Sequence, residues 1–182
     1  MRGGSTDVDG TEILRRGGDS AVTIQQLTGH ATRRIRFPTT AEERVAQREK
    51  VLPELRDALR NALAKQRLIT AGIDPPARLR PAADGTPAVG TLPRIPPGFQ
   101  KKHVYAIVGY DAASDVVEIW NPHGQTFRPK GPAGLANGYE TAHGRFKLPL
   151  AEAYSFYTSF TFELDTPVAR RTTAGSVGGG GR

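Results

Sequence analysis

The residues with the clearest chemical potential are a histidine and an asparagine at the ends of a predicted β-hairpin. Two runs of β-branched and aromatic residues, 103–110 and 116–121, flank the short polar segment 111–115, a pattern typical of two antiparallel strands joined by a turn. His103 begins the first run and Asn121 ends the second. If they are neighbours, the carboxamide oxygen can accept the proton of one ring nitrogen. The other nitrogen is then free to act as a base toward a nucleophile.

The strand register decides whether these two side chains meet. A register that pairs His103 with Asn121 also pairs Tyr105 with Ile119, and residues 107 and 117 face each other in turn. Residues paired across antiparallel strands share one face of the sheet. We therefore expect the imidazole and the carboxamide to lie side by side at the open end of the hairpin. The alternative is that both are ordinary polar surface groups.

The sequence supplies no thiol and no recognisable ligand set. It contains no cysteine, which excludes disulfides, Cys-ligated zinc and a thiol nucleophile provided by this polypeptide. The histidine spacing is not typical of a metal site, and no glycine motif for phosphate lies between a predicted strand and helix. We predict neither a metal site nor a cofactor. The four histidines are His30, His103, His123 and His143.

The elements that would support the hairpin come partly from local signals. Thr40 and Glu43 form a capping box, which predicts a helix beginning near residue 41. Leucines at 52, 55, 59 and 63 lie on one helical stripe that we expect to pack in the core. Pro53 should begin a second helix or kink the first. Further predictions are a strand over 67–73, a proline-rich loop over 74–98, a strand over 144–148, a short helix opening at Leu150 and a half-buried strand over 159–164.

Composition and charge limit the class of protein. The 182 residues suggest one domain with tails, and no apolar run is long enough to cross a bilayer. We read no export signal and expect a cytoplasmic protein that does not bind membranes. The net charge is +7, but the basic residues are spread over several small groups. We therefore expect a solvated basic surface, with nucleic-acid binding left as a weaker hypothesis.

Much of the sequence resembles a calpain-type cysteine protease. In that family a histidine-bearing strand is followed by an Asn-Pro-Trp-Gly motif, a Gly-x-Phe-x-Met or Leu strand, a short helix and a final strand. The similar segments here are 103–108, 121–124, 144–148 and 156–162. Upstream, Leu27-Thr28-Gly29 resembles the family's Leu-Thr-Gly segment, and 55–73 resembles the helix and strand before its catalytic histidine. The resemblance covers about residues 20–165.

The resemblance implies a fold and a role for each site residue. The implied fold is α+β, the antiparallel sheet subdomain of a papain-like cysteine protease with N-terminal helices. His103 would be the general base and the partner of a cysteine thiolate, and Asn121 would hold its ring. The implied partners are a cysteine-bearing N-terminal half of the protease core and a protein or peptide substrate.

Three departures from the family pattern shape the functional hypothesis. The nucleophilic cysteine is missing, and in the family it belongs to the half that precedes the segment resembling 21–29. Ser20 and Thr28 are poor replacements because they lie at the boundary of the resemblance. His123 stands where the family has tryptophan, and Glu140 is the only carboxylate between 125 and 143, so we expect no calcium site although calcium is possible for the family.

These observations predict a disordered lead-in over 1–20, a calpain-like catalytic subdomain over 21–165 and a glycine-rich disordered tail over 166–182. We expect the C-terminal part of a calpain-like cysteine endopeptidase, truncated or split, which is inactive alone. The alternative is a non-catalytic module derived from a protease, which uses the former cleft to bind a peptide or protein.

Overall fold

Three helices are set by local sequence signals. This computed structural model describes residues 19–73 and 94–168. Helix α1 (Ser20–Thr28) begins after Asp19, whose side chain accepts the Ala21 N–H. Helix α2 (Ala41–Ala64) begins after Thr40, whose Oγ1 accepts the Glu43 N–H at 3.2 Å, so the predicted N-terminus is confirmed. Helix α3 spans Leu150–Phe156, as predicted.

Helix α2 continues through Pro53 without interruption. The expectation that Pro53 begins a second helix is wrong, because apolar residues on both sides of it bury the same face of one helix. Leu55 and Leu59 are fully buried, and Leu63 packs against the core from its edge. The leucine stripe is therefore core packing, as predicted.

Six strands form one antiparallel sheet in the order β1-β6-β2-β3-β4-β5. Their bounds are β1 His30–Arg36, β2 Ile69–Ile73, β3 His103–Asp111, β4 Val116–Trp120, β5 Arg145–Pro149 and β6 Ser159–Pro167. The α+β class is thus confirmed for the described residues. Strand β1 was not predicted, because its run of arginines does not read as a strand. Its strand character comes from pairing with β6.

The predicted hairpin exists, but its predicted register is wrong. Ile107 pairs with Ile119 instead of Val117, so Ile119 does not lie opposite Tyr105 as predicted. The turn sets this register. Residues 112–115 form a four-residue connection, and the Asp111 carboxylate accepts the Ala113 N–H at 3.0 Å. Between residues 107 and 109 the ladder is irregular, and the pairing of β3 with β4 shifts by one residue there.

Strand β6 is buried on both faces over its first five residues, whereas the sequence predicted a half-buried strand. One face of β6 contributes Phe160 and Phe162 to the core. The other carries Thr161, which accepts a hydrogen bond from Arg34 at 3.1 Å, and Glu163, which is paired with Arg67. Helix α1 also contacts β6, so an element near the N-terminus covers the second face.

The described elements begin at Ser20 and end at Pro167, and the Val168 N–H donates to the Gly29 carbonyl at 2.8 Å. Residues 1–18 of the predicted lead-in, 74–93 of the predicted loop and 169–182 of the predicted tail lie outside the described residues. Within the described ranges, no helix combines the length with the apolar character needed to span a membrane.

Candidate functional site

The sheet brings His103 and Asn121 together at one end of the β3–β4 hairpin. His103 is the first residue of β3, and Asn121 follows the last residue of β4. The distance between His103 Nε2 and Asn121 Oδ1 is 2.9 Å. The predicted contact is therefore present although the predicted register is not. A displacement of two residues along an antiparallel pair keeps both side chains on the same face.

Three hydrogen bonds fix the position of Asn121, whose exposed fraction is only 2%. Its backbone N–H donates to the Gly144 carbonyl at 2.7 Å. Its Oδ1 accepts the backbone N–H of His123 at 3.0 Å, and its Nδ2 donates to Gln125 Oε1 at 3.3 Å. Because a backbone N–H can only donate, the His123 contact identifies which end of the carboxamide is the oxygen.

This orientation assigns the proton on His103. Asn121 Oδ1 is an acceptor, so the nitrogen that faces it, Nε2, must carry the hydrogen. In the neutral ring the lone pair then lies on Nδ1. Nδ1 has no hydrogen-bond partner among the described residues. The arrangement can therefore accept a proton at Nδ1 from a group placed beside it.

The surroundings of His103 favour the neutral ring. Partial burial, opposed by the hydrogen bond to Asn121, lowers the pKa of His103 below its ordinary value of 6.5, and His123 lowers it further by repulsion. The His123 ring lies with its centroid 4.5 Å from that of His103. Tyr105 packs edge-on against His103 at 4.7 Å. At neutral pH, His103 in the isolated chain is a base and not an acid.

Gly144 allows the close approach that holds Asn121. Its φ is +80°, a region that favours glycine, and a Cβ built there would lie 2.2 Å from the Asn121 carbonyl oxygen. Gly144 also donates its N–H to the Gln125 carbonyl at 2.7 Å. The first residue of the predicted Gly-x-Phe-x-Leu segment is thus part of the frame of the site.

A cluster of packed aromatic side chains lies beside the His103 site. The Tyr105 hydroxyl accepts the Gln100 N–H at 2.9 Å. Phe99 makes edge contacts with Phe146 and Phe156 at centroid distances of 5.0 and 4.8 Å, and it also contacts Tyr105. These contacts join the segment before β3 to β5 and α3. The start of β3, where His103 lies, is therefore held in place by packed aromatic side chains.

Other groups considered from the sequence lie elsewhere or are engaged. Thr28 Oγ1 donates to the Ile24 carbonyl at 2.9 Å at the end of α1. Glu140 is exposed in the loop between β4 and β5. Among the described residues, no serine, threonine or lysine side chain forms a hydrogen bond with the His103 ring. Within the same residues, no group of three or more histidine, aspartate or glutamate side chains is placed to hold a metal ion.

The sequence did not reveal the roles of Gln125 and Gly144. Gln125 is a polar loop residue with no motif around it, and only the folded loop shows that its side chain faces Asn121. Gly144 was recognised as part of a strand motif, but its need for a positive φ follows from the approach of another segment. No family model matches the chain, and no curated protein is significantly similar to it.

Proposed function

We propose that this chain is the C-terminal part of a calpain-like cysteine endopeptidase with a papain-like fold. It supplies the general base His103 and the positioning residue Asn121, and a cysteine-bearing N-terminal half supplies the nucleophile. The observation that carries the proposal is the 2.9 Å contact between Nε2 and Asn121 Oδ1, which leaves the Nδ1 lone pair available. The antiparallel sheet with its packed helices is compatible with this assignment.

The proposed reaction uses His103 first as a base and then as an acid in each of its two stages, acylation and deacylation. Nδ1 first removes the thiol proton, giving a thiolate and an imidazolium that stabilise each other. The thiolate attacks the carbonyl carbon of a peptide bond, and the imidazolium protonates the departing amine as the C–N bond breaks. Nδ1 then takes a proton from water, whose oxygen attacks the thioester carbon. The C–S bond breaks, and the imidazolium returns its proton to the departing sulfur, which releases the acid and the thiol. No cofactor takes part in these steps.

Asn121 keeps the ring aligned through all of these proton transfers. Its oxygen accepts Nε2–H in the neutral and the charged ring alike, so the proton moves only at Nδ1. This restriction to one nitrogen is useful because a misplaced ring loses much of the advantage of proximity. Without a thiol, the chain alone is expected to be inactive toward peptides.

The test begins with the coding DNA upstream of the Met1 codon, read for an in-frame region that contains a cysteine. The longer chain is then expressed and assayed for peptide hydrolysis and for alkylation by iodoacetamide. We expect hydrolysis that His103→Ala abolishes and Asn121→Ala weakens less. His143→Asn is the matched control, because His143 is exposed and its positive φ tolerates asparagine.

Two results would overturn the proposal. One is enzyme-like hydrolysis by the present chain at a rate that His103→Ala leaves unchanged. The other is a longer, cysteine-bearing chain whose activity survives His103→Ala. Peptide binding without thiol acylation in that longer chain would instead favour the non-catalytic module.

A further inference from the structure

A buried arginine without a carboxylate partner lies on a second surface that could bind a ligand. Arg44 lies in the first turns of α2, and only 6% of it is exposed. It donates to the Tyr154 carbonyl, and the Tyr154 hydroxyl donates back to the Arg44 carbonyl at 3.1 Å. Its Nε is buried without a hydrogen-bond partner. Buried charges are normally paired, so the guanidinium calls for an explanation.

The charge of Arg44 is retained in the folded chain. Burial lowers the pKa of Arg44 to about 10, which still leaves the side chain protonated at neutral pH. The guanidinium lies 6.0 Å from the centre of the Phe37 ring and 5.8 Å from that of Tyr154. These aromatic contacts offset part of the cost of burial. In the described residues no carboxylate forms an ion pair with Arg44.

Arg44 lines an open groove between α2 and α3, with a volume of about 360 Å³. We call it the Arg44 groove. Its α2 side is formed by residues 41, 44, 45 and 48, which recur at the spacing of one helical face. Val45 is 76% exposed and Leu135, from the loop after β4, is 39% exposed. The groove therefore combines cationic and exposed aliphatic groups.

The charges in the Arg44 groove are unbalanced. Arg44 and Arg48 both line it, and Arg48 forms no ion pair among the described residues. Glu152 is the one carboxylate of the lining, and it accepts a hydrogen bond from the Tyr139 hydroxyl. The acidic neighbours on α2 do not line the groove; they are Glu42, Glu43 and Glu49. An occupant with a carboxylate would complement the two guanidinium groups.

We propose that the Arg44 groove binds an acidic and apolar peptide segment of a partner protein. A carboxylate of the segment contacts Arg48, the buried charge of Arg44 beneath it adds to the attraction, and an aliphatic side chain packs between Val45 and Leu135. The exposed aliphatic rim favours a peptide over a nucleic acid, whose phosphates would gain nothing from that rim. This surface is independent of the His103 site.

The experiment uses the full chain and a fluorescein-labelled octapeptide of alternating aspartate and leucine. Binding is followed by fluorescence anisotropy. We expect saturable binding that Arg48→Glu weakens about tenfold, because one attractive contact becomes repulsive. Arg60→Glu is the matched control, since Arg60 lies on the same helix, is exposed, is absent from the groove lining and changes the net charge equally. A second probe carries asparagine in place of aspartate and should bind much more weakly.

Three results would overturn the inference. The first is no saturable binding of the acidic probe to the full chain. The second is equal weakening by Arg48→Glu and Arg60→Glu, which would indicate attraction to net charge alone. The third is a dimer of the free chain that Arg48→Glu dissociates, which would assign the groove to a second copy. Circular dichroism of both variants checks that they fold.

Discussion

Replacing Asn121 by alanine should change the proton affinity of His103 in a direction that the geometry fixes. The carboxamide oxygen accepts Nε2–H at 2.9 Å whether the ring is neutral or charged. A hydrogen bond that involves a charged group contributes about 1.5–3 kcal/mol, and a neutral one about 0.5–1.5 kcal/mol. The imidazolium therefore loses roughly 1 kcal/mol more than the imidazole does. Because a tenfold change corresponds to about 1.4 kcal/mol, Asn121→Ala should weaken the proton affinity of His103 by five- to tenfold.

The same substitution should alter how folding stability depends on pH. Partial burial holds the pKa of His103 in the folded chain below the value of 6.5 expected when unfolded. Between these two pKa values the unfolded chain binds more protons, so the free energy of unfolding falls as the pH is lowered through this window. Asn121→Ala lowers the folded pKa further and therefore extends the window toward acid.

NMR titration of the histidine ring signals, assigned by single substitutions, measures this effect. His123→Ala is the matched comparison, because it removes repulsion and should raise the pKa of His103, opposite to Asn121→Ala. An unchanged or raised pKa of His103 in Asn121→Ala would refute the reasoning, since the carboxamide oxygen would then not be holding the charged ring.

Three further substitutions test the frame of the site and the fold. Gly144→Ala should displace Asn121 and weaken the His103 Nε2–H hydrogen bond, because the new Cβ would meet a backbone oxygen at 2.2 Å, and NMR titration should therefore show a lowered pKa of His103; Gly124→Ala has a similar φ of +70° but no close neighbour and should leave that pKa unchanged. Glu163→Gln should lower the free energy of unfolding in urea by about 1.5–3 kcal/mol at pH 7, because the hydrogen bonds of its charged carboxylate to Arg67 and the Leu68 N–H are weakened. Desolvation raises the pKa of Glu163, but the Leu68 amide, His30 and Arg67 together hold it below its ordinary value. The difference in stability between the two proteins should therefore shrink as the pH falls through the pKa of Glu163 in the folded chain. Asp165→Asn, at an exposed site, should have little effect. Pro53→Ala should raise the free energy of unfolding by about 2 kcal/mol by restoring a helix hydrogen bond, and Pro38→Ala, outside the helix, should not. An unchanged value for Pro53→Ala would contradict the placement of Pro53 in the interior of α2.

The elements predicted correctly are those whose signals are local. The Thr40 capping box marks the start of α2 because the cap uses only groups within one turn. The leucine stripe of α2 predicts its buried face because helical periodicity alone brings those residues together. Strand β1 gave no such signal. Three arginines occupy it, and its place in the sheet depends on β6, which lies more than a hundred residues away.

The His103–Asn121 contact was predicted only in part, because it depends on local strand patterns and also on the register between two strands. The sequence predicts that both residues occupy hairpin ends, and strand alternation predicts their common face. It could not predict the register, because the four-residue turn between β3 and β4 is stabilised by its own side chains. Ser114 donates to the Asp111 carboxylate at 2.6 Å, and Asp115 adopts a φ of +55°. The contact survives the error because the displacement is even, and a shift of one residue would have separated the two side chains.

In the proposed enzyme, the cysteine-bearing half would supply the nucleophile and would also change the charge state of His103. Every hydrogen bond that orients Asn121 comes from this chain, through Gly144, His123 and Gln125, so the base is already aligned before any thiol arrives. Alignment before assembly removes an ordering cost from the encounter of the two halves.

The charge state of His103, unlike its orientation, is not set by this chain alone. With no thiolate beside it, His103 has a lowered pKa and is neutral, and an adjacent negative charge is what would raise that pKa again. Orientation would thus belong to this chain and activation to the assembled pair. On this account His103 changes its pKa when the thiol-bearing half binds, while Asn121 keeps its position, and the isolated chain has an ordered site without activity.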